Sequence, residues 1–221
     1  MRMGTATFGW TRLVLGAVFT FFTCMTVVGF QAILPAMKDD GVFAYLCPGG
    51  VSGCHSQSMH LDLMFIVATS FVNLTSVAVG FIIAKTGPRV SCMIGGAIVA
   101  LGSVIFAVSS ESFPAWIAGY GLMGAGGPFI AFAMFTLPNG IPAESQGLGF
   151  SMIIGALDGS AAMMWFMGLI HRYHGAHIKG LFLGFAILPA LMFLVAIWIF
   201  RPAKGAADAG GEAAEGAGAG A

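Results

Sequence analysis

The chain has 221 residues and no net formal charge; 58% of them are hydrophobic, only 8% are charged, and the mean hydropathy is +0.92. A soluble domain carries about 25% charged residues to wet its surface, so this composition excludes one and calls for lipid as the solvent. Nine Lys and Arg set against nine Asp and Glu leave no basic excess that would attract nucleic acid.

A membrane-spanning helix needs about 20 mostly apolar residues. Six segments qualify, at approximately 12–36, 61–84, 90–109, 113–137, 145–170 and 178–200. The expected fold is therefore all-α: one polytopic membrane domain over 1–202 with six transmembrane helices. The first apolar stretch, 8–37, begins near Arg2 and Arg12 like a signal peptide. Its length is roughly twice that of a signal core and no clean small-x-small cleavage site follows, so it is read as the first span.

The polar loop after helix one holds Cys47 and Cys54 among Pro48, Gly49, Gly50 and Gly53. A disulfide closing this loop fits an oxidising compartment. Two free thiols, or a zinc site with His55 and His60 at a spacing that matches no common zinc pattern, are the alternatives. Cys24 and Cys92 lie within apolar helices as packing residues.

Helix two places Asn73, Thr75 and Ser76 at its middle. They suit interhelical hydrogen bonds, and Asn73 is kept as a candidate substrate contact. Lys85-Thr86-Gly87-Pro88-Arg89 separates helices two and three. In helix four, Gly119-Tyr120-Gly121 and Gly124 to Pro128 read as an interruption at membrane depth that frees backbone groups, or else as a surface for close helix packing.

Helix five carries Asp158 within Gly155-Ala156-Leu157-Asp158-Gly159-Ser160-Ala161. A carboxylate at that depth costs roughly 2.5 to 3.5 kcal/mol on insertion scales, which makes it a candidate substrate or proton residue. The alternative is a carboxylate that ties helix five to a neighbour. His171, His174 and His177 follow in a short wet loop whose spacing does not define a metal site. After helix six the chain turns to Ala and Gly; residues 203–221 read as a disordered cytoplasmic tail or linker.

An even number of spans puts both ends on one side. Arg2, Arg12, Lys85, Arg89, Arg201 and Lys204 then share a face, against Lys38, Arg172 and Lys179 on the other. The positive-inside rule places both termini in the cytoplasm of a plasma or organelle membrane, with the Cys47/Cys54 loop on the far side.

Gly80-Phe81-Ile82-Ile83-Ala84-Lys85-Thr86-Gly87-Pro88-Arg89 resembles the loop signature Gly-x-x-x-Asp-[Arg/Lys]-x-Gly-x-[Arg/Lys] of the major facilitator superfamily, between its helices two and three. Within that superfamily the chain looks most like the large neutral amino acid transporters, the system L uniporters. Residues 61–65, Thr136-Leu137-Pro138-Asn139 and Gly155-x-x-Asp158-x-Ser160-Ala161 carry this likeness. It corresponds to the N-terminal six-helix half of a twelve-helix transporter. One departure is Ala84, where the signature has an acid that locks one gated state.

The resemblance implies amino acid transport by alternating access, in a cavity between two six-helix halves. Asp158, Ser160, Thr26, Gln31 and Asn73 are then the candidate substrate contacts. Gly80, Lys85, Gly87, Pro88 and Arg89 form the gating loop, with Arg89 capping carbonyls or meeting lipid phosphate. A second half, from another copy or a separate chain, is the implied partner. No catalytic set or nucleotide fingerprint is present, so no enzyme, cofactor or metal is expected. The alternative function is a non-transporting structural or accessory subunit that retains the scaffold.

Overall fold

The computed structural model describes residues 3–24, 27–50 and 52–200. Thr26 and the Ala/Gly-rich stretch 203–221 lie outside the described residues. Among the described residues seven α-helices run in order: α1 Met3–Thr23, α2 Phe30–Asp39, α3 His55–Val108, α4 Trp116–Met134, α5 Gln146–Gly159, α6 Ala161–His174 and α7 Ile178–Ile199. Short 3₁₀ turns fill the connections, and no strand occurs among the described residues. Four helical stretches are long and apolar enough to cross a membrane: His55–Val108, Trp116–Gly140, Ala143–His174 and Ile178–Ile199.

The 54 residues of α3 would measure about 81 Å if straight, against a hydrocarbon core of about 30 Å. The helix is broken at Gly87, whose φ of 81° and ψ of 165° lie in a region open essentially to glycine alone. Pro88 follows and withholds an N–H from the preceding turn. Contacts with α4 locate the two arms. A Cβ on Gly124 would lie 2.5 Å from the carbonyl oxygen of Ala68, and one on Gly126 would lie 2.6 Å from the side chain of Val99. Ala68 and Val99 thus meet the same turn of α4 from opposite sides, although they lie on opposite arms of α3. The arms therefore fold back on each other with α4 between them.

Glycines set how close these helices come. Gly95 and Gly102 on α3 face Gly126 and Gly119 on α4, an antiparallel pair of seven-residue spacings. Added Cβ atoms at all four would sit 2.6–2.8 Å from the opposing helix. Such backbone approach replaces the hydrophobic drive that lipid cannot supply between helices. It also decides between the two readings of helix four. The glycine-rich run 119–128 does not interrupt its helix; α4 continues unbroken from Trp116 to Met134, because its glycines are occupied by neighbours.

The breaks fall elsewhere. The segment 12–36, read as one span, is two helices: α1 ends at Thr23 and α2 begins at Phe30. Thr20 and Thr23 donate from Oγ1 to the carbonyls of Gly16 and Phe19 at 2.8 and 2.7 Å, a back-bonding that bends helices. The segment 145–170 is marked only by a local turn at Ser160 between α5 and α6; its φ of −63° and ψ of −21° stay right-handed helical, so Ala143–His174 runs on as one helical stretch.

A core of aromatics joins α2, α3, α4 and α7. Phe106 packs on Phe182 at 4.2 Å between ring centres, and Phe30 on Tyr120 at 5.6 Å. By contrast Leu74, Val77 and Phe81 on the first arm of α3 are about 70% exposed, a face suited to lipid chains rather than water.

Candidate functional site

The break between α1 and α2 lies beside the turn at Ser160 that joins α5 to α6. α1 packs on α5 and α2 on α6. At the junction, a Cβ on Gly29 would sit 2.6 Å from the Ala161 carbonyl oxygen, and one on Gly159 would sit 2.9 Å from the Phe21 ring. Interrupted helices leave backbone groups without partners, and a protein keeps them at membrane depth only where they are buried or line a cavity.

On the other flank of the α1–α2 break, a cavity of about 210 Å³ is bordered by Cys24, Val27, Phe65, Thr69, Met123 and Gly124. Its wall is almost wholly apolar. Val28, more than half exposed, also borders it and marks its open side. Thr69 Oγ1 is turned to its own helix, donating to the Phe65 carbonyl at 2.9 Å. Cys24 donates from Sγ to the Gly127 carbonyl across the helix interface at 3.4 Å. Pro128 has no N–H, so the Gly124 carbonyl loses its usual helical donor beside this cavity.

Asp158 ends the last turn of α5 and is exposed on the bundle surface. It has no hydrogen-bond or ion-pair partner among the described residues, so it does not tie α5 to a neighbouring helix of the described bundle. Ser160 is buried, and its Oγ donates to the Leu157 carbonyl at 2.6 Å. Gln31 is exposed in the first turn of α2, and Asn73 is exposed on α3. Thr75 and Ser76 donate to the carbonyls of Phe71 and Val72 on their own helix, at 2.6 and 2.7 Å, rather than across an interface. Asp158, Gln31 and Asn73 are not among the residues that border the apolar cavity. The structure thus brings Asp158 and Ser160 to the junction of the α1–α2 break with the α5–α6 turn and leaves Asn73 apart from it.

In the loop expected to gate, Gly87 is the turning point, while Gly80, Lys85 and Arg89 are exposed and Pro88 is half-buried. Lys85 and Arg89 form no ion pair among the described residues. The Cys47–Cys54 loop is joined by a disulfide with 5.8 Å between the Cα atoms. Gln57 organises this loop from a fully buried position. Its Nε2 donates to the Val42 and Lys38 carbonyls at 2.8 and 3.3 Å, and its Oε1 accepts from the Gly53 N–H at 2.5 Å. Asp40 accepts from the Ile178 N–H at 2.9 Å, and its other oxygen lies 2.8 Å from His177 Nδ1. It caps α7 from a distant part of the chain. Gln57 and Asp40 had no local sequence signal beyond being polar residues beside a loop. The cavity residues Val27, Phe65 and Thr69 had none, because each reads as an ordinary helix residue.

These features define an all-helical integral membrane protein. Similar proteins narrow the class. Protein FMP42 of Saccharomyces cerevisiae is 27% identical over 174 residues, covering 76% of this chain and 34% of that protein. Arginine transporter 1 of Toxoplasma gondii is 20% identical over 215 residues, 89% of this chain and 39% of that protein. Large neutral amino acids transporter small subunit 3 of Homo sapiens is 23% identical over 146 residues, 59% and 26%. The chain spans 26–39% of the length of these curated relatives. No protein-family profile matches it, and no solved structure does. The likeness supports an amino acid transporter family and a non-enzymatic membrane protein.

Proposed function

We propose that the chain is one six-helix half of a major-facilitator-type carrier, moving amino acids by alternating access after pairing with a second six-helix half. In this reading α1 with α2, and α5 with α6, are the first and fifth spans. The two arms of α3 are the second and third, and α4 and α7 complete six. Both termini are then cytoplasmic, and the disulfide loop is on the opposite side.

The observation that carries the reading is the meeting of the α1–α2 break with the Ser160 turn at Gly29 and Ala161, with Asp158 beside it, exposed and without a partner among the described residues. A carboxylate does not face lipid chains at that depth without cost; it faces a wet cavity or a partner. Pairing with a second half supplies both. Asp158 then meets the substrate's ammonium group or a proton, with Ser160 and Gln31 around the junction and Asn73 further off; Thr26, outside the described residues, is proposed as a further contact. The apolar cavity beside Val27 and Phe65 takes the substrate's side chain. The names of the relatives support an amino acid as substrate.

The test is uptake of a labelled amino acid panel into proteoliposomes, for the chain with its second half and for Asp158→Asn. Saturable uptake that the substitution abolishes is the expected result. Uptake unchanged in Asp158→Asn removes that residue from the path. A second reading, an accessory subunit that keeps the scaffold without transporting, is favoured by Ala84 standing where the loop signature has an acid. It is supported if no pairing yields uptake from protein shown to be folded.

A further inference from the structure

A larger cavity, of about 560 Å³, lies between α2 and α6, away from the apolar one. Its volume falls within the range of about 300–1,000 Å³ typical of small-molecule sites. Asp39, Trp165, Leu169, His171 and Arg172 border it. Asp39 closes the last turn of α2 and Arg172 lies in the last turn of α6. The helix pair therefore carries one carboxylate and one guanidinium to the same cavity. Both are exposed, and neither makes a hydrogen bond or an ion pair among the described residues.

The surrounding polar groups are engaged elsewhere. Asp40, next in the chain, is committed to the Ile178 N–H and His177. His171 is half-buried, and its Nδ1–H donates to the Ala176 carbonyl at 2.8 Å. In the neutral ring this leaves Nε2 as an acceptor at the cavity wall. Trp165 and Leu169 give the rest of the wall an apolar character.

We infer that this cavity binds a small zwitterion, Asp39 taking its ammonium group and Arg172 its anionic group. A carboxylate and a guanidinium that share a cavity without neutralising each other complement a molecule with both charges. They repel one end of any singly charged competitor less than they reward the matched pair. Arg offers a planar fork for a carboxylate or phosphate, and an ammonium can be shared by Asp39 and His171 Nε2. Two sources present this chemistry: a free α-amino acid, and the ethanolamine phosphate head group of a lipid. As a docking point for a free amino acid, the site rests on the carrier reading above.

The test uses the full chain with Asp158→Asn as background, so that any inner site is silenced, in nanodiscs of phosphatidylcholine and phosphatidylglycerol. The probes are labelled leucine, phenylalanine and arginine, with leucinamide and 4-methylpentanoate as competitors lacking one charged end. Saturable binding that neither competitor displaces is expected. Asp39→Asn and Arg172→Gln each weaken it by about ten-fold to a hundred-fold, the loss of one charge-assisted hydrogen bond, with the unfolding temperature unchanged. Binding that survives both substitutions, or that the singly charged analogues match, overturns the site.

A second arm adds phosphatidylethanolamine. Its retention through purification by the background protein but not by the Asp39 and Arg172 variants, without amino acid binding, assigns the zwitterion to the lipid. The absence of both amino acid binding and lipid retention overturns the proposal outright. Failure of the carrier reading looks different: uptake is then absent from the unsubstituted protein, while binding at Asp39 and Arg172 persists.

Discussion

Gly29 and Ala161 meet where the α1–α2 break faces the turn between α5 and α6, at a distance that leaves no room for a side chain on the glycine. A Cβ there would fall 2.6 Å from the Ala161 carbonyl oxygen and 2.7 Å from the Met164 Cβ. The contact lies between the end of the α1–α2 break and the start of α6. It joins that break and the Ser160 turn into a single structural unit. Any rocking of α1–α2 against α5–α6 would have to pass through this contact.

The first prediction follows from that contact. Gly29→Ala destabilises the protein by about 1–3 kcal/mol, since backbone atoms on α6 cannot move aside as a flexible side chain would. Gly155→Ala, where a Cβ meets nothing within 4 Å, changes stability by less than about 0.5 kcal/mol. Thermal unfolding in detergent compares the two. Equal midpoints would remove the steric argument.

Gly87 supports a second contrast. Its φ of 81° and ψ of 165° lie where a Cβ is strained whatever space surrounds it. Gly87→Ala costs about 1–3 kcal/mol, although nothing lies within 4 Å of the added atom. Gly80→Ala, equally open and within a regular helix, is neutral or slightly stabilising. The readout is again the unfolding midpoint, and loss of stability only at position 87 is the expected pattern.

Asp40 caps α7 across 138 positions of sequence. Asp40→Ala leaves the Ile178 N–H without its acceptor and costs about 0.5–2 kcal/mol, as for other helix caps. Asp40→Asn keeps an acceptor oxygen and loses less. His177→Ala loses less still, because that side chain is 84% exposed. Hydrogen exchange at the first turn of α7 reports the effect directly. Protection unchanged in Asp40→Ala would show that the cap is dispensable.

The cysteines divide by reactivity. Cys24 and Cys92 are buried, and Cys47 and Cys54 are bonded to each other. A membrane-impermeant maleimide should label none of the four in the intact protein, and two after mild reduction. Gln57→Ala, which removes the bonds to Val42, Lys38 and Gly53, should speed reduction of the Cys47–Cys54 bond by loosening the loop. Labelling of Cys24 before reduction would contradict its burial against Gly127.

Asp158 separates function from folding. Because it is exposed and without a partner, Asp158→Asn should shift stability by no more than about 0.5 kcal/mol while abolishing uptake. A large drop in the unfolding midpoint would mean that the carboxylate holds the bundle together.

Much of this protein is decided by local composition. Long apolar runs and scarce charges settle that it is helical and belongs in lipid, because the length of an apolar run is a property of neighbouring residues alone. The expense of Asp158 and the turning character of Gly87-Pro88 are legible for the same reason. What the sequence leaves open is how each glycine is used. The run Gly119 to Pro128 reads equally as a break or as a packing face, and contacts with Gly95, Gly102, Ala68 and Cys24 decide for packing. The break in helix one, its alignment with the Ser160 turn at Gly29 and Ala161, and the cap that Asp40 lends to α7 depend on residues more than a hundred positions apart. The cavity between Asp39 and Arg172 does too. No local window holds both sides of such a contact, so only the packed tertiary structure determines it.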